Sequence, residues 1–290
     1  MPIWKAVLLG VIQGITSVLP VSSSGHIALF GRLLGESTAG SLSFMVYLHI
    51  GTLAAVLWTF QKDVRRLVLA CVQIIAELVR NGTGAFDALS GGKTVVWHHV
   101  DRSNYRRLVI LLLAASAAEI GVSLIVRSFS FLGASNLLIT AMGFFVTALL
   151  LFISSYTVGI KSDPMRTNYR DALLAGIFQG AAGLPGISRL GMAMSAGSLS
   201  GMEDAYMVRF AFLMSIPGII GSFFWVLPYG QIQEETLPGA GACIIGIVTA
   251  AVVSGLLLRV VRRILSRTVN RFFAMYTVVA GILCIVMYFR

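Results

Sequence analysis

Six stretches of about 20 mostly apolar residues dominate this chain, and in lipid a stretch of that length is stable only as a helix that bonds its own backbone. They run from Leu42 to Phe60, Leu108 to Val126, Leu132 to Tyr156, Ala205 to Leu227, Pro238 to Leu258 and Asn270 to Tyr288. Hydrophobic residues make up 57% of the sequence and charged residues 12%, against about 25% charged in a soluble domain. The sequence therefore predicts an all-α polytopic membrane protein, a single membrane domain over residues 1–290. The net charge of +10 lies between the apolar runs rather than on one surface, so nucleic acid is not an expected partner. Cys71, Cys243 and Cys284 stand alone in apolar surroundings, with neither metal-ligand spacing nor a disulfide framework. The apolar N-terminus has no small-residue cleavage site and is read as retained.

Two further apolar regions are broken in the middle. Ile3 to Val18 is followed by Leu19-Pro20-Val21-Ser22-Ser23-Ser24-Gly25-His26 and then Ile27 to Leu34. Ala172 to Ala182 is followed by Leu184-Pro185-Gly186-Ile187-Ser188-Arg189 and then Met192 to Leu199. Each arm is too short to cross alone, so both regions are expected to be re-entrant helix–loop–helix hairpins, 3–34 and 172–200. Polar loops at membrane depth survive only when buried in protein or lining a watery cavity. The two regions also resemble each other. Gln13-Gly14 and Gly25 recur 166 positions later as Gln179-Gly180 and Gly191, and Leu19-Pro20 recurs at 165 as Leu184-Pro185. The expected repeats are residues 1–127 and 128–290.

Val64 to Val79 is shorter than the spans and carries Arg65, Arg66 and Glu77. It is expected to lie at the interface or against the bundle. Asn81 to Ser103, which contains His98 and His99, reads as an exposed loop. Three spans then separate the hairpins, so the second enters from the opposite membrane face, an inverted-topology repeat with its site near the midplane. On this topology 16 of the 22 Lys and Arg residues fall on one side, which makes that side cytoplasmic. The loop Pro228 to Leu237 on the other side holds Glu234 and Glu235. Both termini are expected on the outer face.

The two loops carry the candidate chemistry. Ser22, Ser23 and Ser24 supply hydroxyls, Gly25 permits close backbone approach, and His26 can transfer protons near neutral pH. Helix N-termini beside such loops offer free N–H groups and a positive dipole end to a phosphate. Arg189 adds a guanidinium fork. Each also has a structural reading: serines in membrane helices bond their own backbone, and a lone histidine can be a core residue. An arginine between apolar arms is harder to place that way. Together they point to phosphoryl chemistry.

The runs Gln13-Gly14-Ile15-Thr16-Ser17-Val18-Leu19-Pro20-Val21-Ser22-Ser23-Ser24-Gly25-His26 and Pro185-Gly186-Ile187-Ser188-Arg189 resemble the undecaprenyl-pyrophosphate phosphatases, the bacitracin-resistance protein family, over essentially the whole chain. The resemblance implies a bacterial inner-membrane enzyme that removes the terminal phosphate of a C55 polyprenyl diphosphate and so recycles the cell-wall lipid carrier. It implies Ser23 as nucleophile or phosphate-orienting serine, His26 as acid/base and Arg189 as diphosphate clamp. Gln13, Ser17, Ser22, Ser24, Gly25, Gly186 and Ser188 would line the substrate pocket. His49, in Leu48-His49-Ile50-Gly51-Thr52, is either a pocket edge or a buried structural histidine. The expected partners are the polyprenyl diphosphate and membrane lipid, with a homodimer left open.

One departure matters. The family carries Glu/Gln-x-x-x-Glu in its first hairpin; Gln13 meets the first position, but Ser17 stands at the second. The two positions share one helix face. A neutral serine is no general base and a poor ligand for a hard cation, so a Mg2+ or Ca2+ site is expected to be weakened or absent, and hydrolysis with it. Leu190 likewise replaces a serine. Glu119, midway along the Leu108–Val126 span, is the candidate substitute, with a helix-packing carboxyl as its equal alternative. A polyprenyl-phosphate carrier or flippase, or a lipid-binding homologue without hydrolysis, is the rival reading.

Overall fold

A computed structural model describes residues 1–89, 101, 103–133, 136–226 and 238–290. Among these the regular structure is helical: α1 (Ile3–Thr16), α2 (Ser23–Leu33), α3 (Thr38–Thr59), α4 (Gln61–Leu89), α5 (Asn104–Gly133), α6 (Leu137–Ser154), α7 (Tyr169–Gly180), α8 (Arg189–Leu199), α9 (Asp204–Val226), α10 (Ala240–Ile264) and α11 (Arg267–Tyr288). Six helices are long and apolar enough to cross a membrane, in α4, α5, α6, α9, α10 and α11. Five of these match expected spans. The sixth expected span falls in α3, a helix of 22 residues, and α4 is long and apolar enough as well.

The contacts of α4 show how it lies. Asp63 pairs with Arg209 at 2.5 Å and accepts from Tyr105 at 3.0 Å. Ala70 and Ile74 pack on Val109, while Gln73 and Glu77 accept from Arg106 at 3.1 and 2.7 Å. Residues 63–77 of α4, about 21 Å of helix, thus lie across residues 105–109 of α5, about 6 Å. The crossing is steep. Because the end of α3 and the start of α5 sit together, the chain comes back after α4 to the end of the bundle from which it left. Its outer stripe of Val68, Val72, Ile75 and Val79 stays exposed. The expected loop from Asn81 begins as helix instead, since α4 continues to Leu89. His98, His99, Glu234 and Glu235 lie outside the described residues.

Charged contacts gather at one end of the molecule. Arg107 donates to the Thr167 carbonyl at 3.2 Å, Lys161 pairs with Asp171 at 2.6 Å, and Arg271 donates to Ser155 Oγ at 3.1 Å. Arg267 binds Asp204 at 2.7 Å, the Thr157 carbonyl at 3.1 Å, and the Met202 carbonyl. These bonds bring the end of α6 and the starts of α7, α9 and α11 to the end where α3 stops and α5 begins. At the far end Lys5 donates to the Leu34 carbonyl at 2.7 Å and pairs with Glu36 at 2.8 Å. The α1–α2 hairpin therefore opens at the far end, and the α7–α8 hairpin at the charged end.

The hairpins are interlocked with helices from the other half. Gly10 and Gly14 of α1 sit against the Gly246 and Ala250 carbonyls of α10, and Gly176 and Gly180 of α7 against the Ala115 and Glu119 carbonyls of α5. Ser254 Oγ donates to the Gly14 carbonyl at 3.1 Å, and Ser123 Oγ to that of Gly180 at 3.3 Å. Each contact thus occurs twice, shifted by 166 positions in the hairpin and by 131 in the partner helix. Four-residue glycine spacing permits this, because a bare Cα lets two backbones touch. Around α8 and α9, Met194, Phe210 and Phe212 anchor the main apolar core.

Candidate functional site

The stretch read as a polar loop is largely the first turn of a helix. Ser23, Ser24, Gly25 and His26 all belong to α2, and Arg189 opens α8. The physical reason is capping. Ser22 Oγ accepts from the Gly25 N–H at 3.2 Å, and Ser188 Oγ accepts from the Gly191 N–H at 3.0 Å. These are the same cap 166 positions apart. Ser22 and Ser188 therefore hold the backbone, as their structural reading has it. Ser24 Oγ lies 3.2 Å from Ser22 Oγ, whereas Ser23 takes no part in this capping. Ser22 holds φ at +68°, a left-handed backbone that costs a serine about 1 kcal/mol or more and marks a constrained turn.

The two turns touch. A Cβ added to Gly25 would lie 3.0 Å from Gly186 Cα, and one added to Gly191 would lie 3.1 Å from the Pro20 carbonyl. Gly186, at φ +89°, takes a backbone form open to glycine. Its carbonyl accepts from Thr147 Oγ1 at 3.0 Å, and that threonine hydroxyl in turn accepts from the Ser188 N–H at 2.9 Å. Two helix N-termini thus converge, and the first N–H groups of each lack partners in their own helix. Helix N-termini that converge in this way are the kind of place where an anion can be held.

Around this point the side chains gather beside one hairpin or the other. His26 is buried, with Nδ1 2.7 Å from the Ser22 carbonyl and Nε2 2.7 Å from Tyr276 OH. Its ring stacks on Tyr276 at 5.5 Å and meets Phe144 edge-on at 5.2 Å. Gln13 is fully buried and neither amide atom has a protein partner. Ser17 Oγ lies 3.4 Å from Ser254 Oγ and 3.5 Å from the Gly14 carbonyl. Arg189 has Glu119 and His49 as electrostatic neighbours. Glu119 is buried, takes a hydrogen bond from Gln179 and rests against Gly218 of α9. Its partners thus belong to the second hairpin, across from Ser17. His49 is buried and sits by Arg189.

Gln179 was visible in the sequence as the repeat of Gln13. Thr147 and Tyr276 were not, because they reach the loops from α6 and α11 and share no local pattern with them. The donors beside the first hairpin are an amide and hydroxyls. Among the described residues no group of three His, Cys, Asp or Glu side chains is placed to share a metal ion.

The sequence matches the family of bacitracin resistance protein BacA over residues 6–283. The chain belongs to this family. Relatives named undecaprenyl-diphosphatase include one from Desulforapulum autotrophicum, 32% identical with 99% of this chain and 98% of the relative covered. One from Syntrophotalea carbinolica is 34% identical over 89% and 90%. Another from Methanobrevibacter smithii is 29% identical over 98% and 96%. The BacA match spans every candidate residue from Gln13 to Arg189, so both converging turns lie inside it.

Proposed function

We propose that this protein is an undecaprenyl-diphosphatase of the bacterial inner membrane, releasing the terminal phosphate of a C55 polyprenyl diphosphate. One observation carries the reading: two helix N-termini, bearing Ser23 and His26 on one and Arg189 on the other, meet at Gly25 and Gly186. The diphosphate binds between them. Arg189 and the first-turn N–H groups stabilise charge on the transferring phosphoryl group. The nucleophile is Ser23 Oγ or a water at the same place. Gln13, with its unpartnered amide, faces substrate oxygens, and the N-caps Ser22 and Ser188 keep the two turns in register. In this proposal α1–α2 and α7–α8 are re-entrant from opposite faces, the halves being 1–127 and 128–290. Both termini lie outside, and the protein works alone or as a homodimer.

The donor set does not fit the divalent cation that the family resemblance implies. Amide and hydroxyl oxygens at Gln13 and Ser17 lack the carboxylate charge on which hard-cation sites rely. No step here is routed through a metal. Among the described residues Glu119 is the one buried carboxylate beside Arg189, and we assign it the missing acceptor role from the second hairpin's side. Phosphate release unchanged in Glu119→Gln would end that assignment.

The test is phosphate release from C55 diphosphate by the purified protein, with and without Mg2+, beside Arg189→Ala and Ser17→Glu. Release that falls about 100-fold or more in Arg189→Ala supports the enzyme. The neutral Ser17 favours one rival, a carrier that binds the lipid phosphate without cleaving it. No release from the native chain, release from Ser17→Glu, and transbilayer movement of labelled lipid would establish the rival.

A further inference from the structure

His26 is the only group with a ring base in the first turn of α2, yet both ring nitrogens are engaged. Nδ1 lies 2.7 Å from the Ser22 carbonyl. A carbonyl only accepts, so Nδ1 carries the proton and Nε2 of the neutral ring holds the lone pair. That lone pair is 2.7 Å from Tyr276 OH, which must donate to it. The two rings are nearly parallel, 3° apart, and Phe144 closes a further side. His26 is buried, while Tyr276 is about half exposed. The phenol thus covers the only basic nitrogen of His26, so a proton that reaches that nitrogen along this hydrogen bond comes from the phenol.

We infer that Tyr276 is a positioning and proton-relay residue through which His26 exchanges protons with the reacting oxygen. This rests on the phosphatase reading above. When the nucleophilic hydroxyl attacks phosphorus, its proton passes to the Tyr276 oxygen while the phenol's own proton passes to Nε2. The phenol ends neutral and His26 ends as an imidazolium, with Nδ1–H still on the Ser22 carbonyl. The new O–P bond replaces the bond to the bridging oxygen, which departs with the lipid monophosphate. The imidazolium then returns its proton through the phenol to the oxygen of the departing lipid monophosphate. Where Ser23 supplied the hydroxyl, a water then attacks the phosphoserine phosphorus, giving its proton to the same relay, which returns it to the Ser23 oxygen as phosphate leaves. Tyr276 also fixes the ring plane by stacking, so its hydroxyl and its ring do separable work.

Two variants separate them. Tyr276→Phe keeps the ring and removes the hydroxyl; Tyr276→Leu removes both. With C55 diphosphate as substrate, Tyr276→Phe is expected to lower kcat about 100-fold with KM within about threefold. Tyr276→Leu lowers kcat further. The protein has four histidines, so 15N-histidine labelling resolves His26 by comparison with His26→Gln. In Tyr276→Phe the His26 Nε2 resonance should move while the Nδ1–H resonance stays. A kcat in Tyr276→Phe equal to the native value, or an Nε2 resonance that does not move, overturns the relay. If the native protein releases no phosphate, the phosphatase reading fails instead, and the Nε2 shift still decides whether the contact exists.

Discussion

At Gly25 a single methyl group is the difference between two touching turns and two separated ones. Added there, it would strike the Phe144 ring and press on Gly186. Gly25→Ala is therefore expected to lose about 1–3 kcal/mol of stability and most phosphate release, read by thermal unfolding in detergent and by assay. Gly82, with open space around it, is the control: Gly82→Ala should be neutral or gain up to about 1 kcal/mol from helix propensity. Thr147 makes the same point with hydrogen bonds. Thr147→Val keeps the shape but strips partners from the buried Gly186 carbonyl and Ser188 N–H, with an expected loss of about 1–3 kcal/mol. A melting temperature equal to the native one would show that water or relaxation replaces the hydroxyl. Gly25 could be read as special from sequence, since glycine beside serine and histidine between apolar arms is unusual. Thr147 could not, because a threonine in a membrane helix ordinarily bonds its own backbone.

Helices were legible in position, and less so in their terminal turns. The expected spans overlap α5, α6, α9, α10 and α11 with edges up to seven residues off, the largest at the end of α5, which runs on to Gly133. Apolar length against lipid is a strong signal for a span and a weak one for its end. The first turns of α2 and α8 were missed. Polarity marked them as loop, whereas Ser22 and Ser188 cap them into helix. The α4 helix shows the opposite problem, since by length it could span and by its contacts on Tyr105, Arg106 and Val109 it lies across the end of α5. Cysteines placed at Lys62 and Thr83 should both react with a membrane-impermeant maleimide from the same face. Labelling from opposite faces would mean that α4 crosses, and that the two hairpins enter from one side.

Across the whole molecule, the paired contacts of α1 with α10 and of α7 with α5 tie each hairpin to the other half. Neither half can then be complete alone, and damage at equivalent places should have matching effects. Gly14→Val and Gly180→Val each force a branched side chain against a neighbouring backbone and valine. Each is expected to lower the unfolding temperature to a similar degree, equivalent to about 1–3 kcal/mol. A large loss in one and none in the other would show that the two packings are unequal in energy despite their geometry.

The amino-acid order determined the solvent, the helices and the two broken regions, because hydrocarbon leaves a backbone no other way to satisfy its polar groups. It also placed Ser23, His26 and Arg189 in two segments related by a repeat. Which groups surround them was decided only in three dimensions. Tyr276 on His26, Thr147 under Gly186, and Glu119 with Gln179 beside Arg189 join residues far apart in the chain. No periodicity encodes such pairs; they arise where helices of alternating direction pack, and that packing sets which lone pair meets which proton.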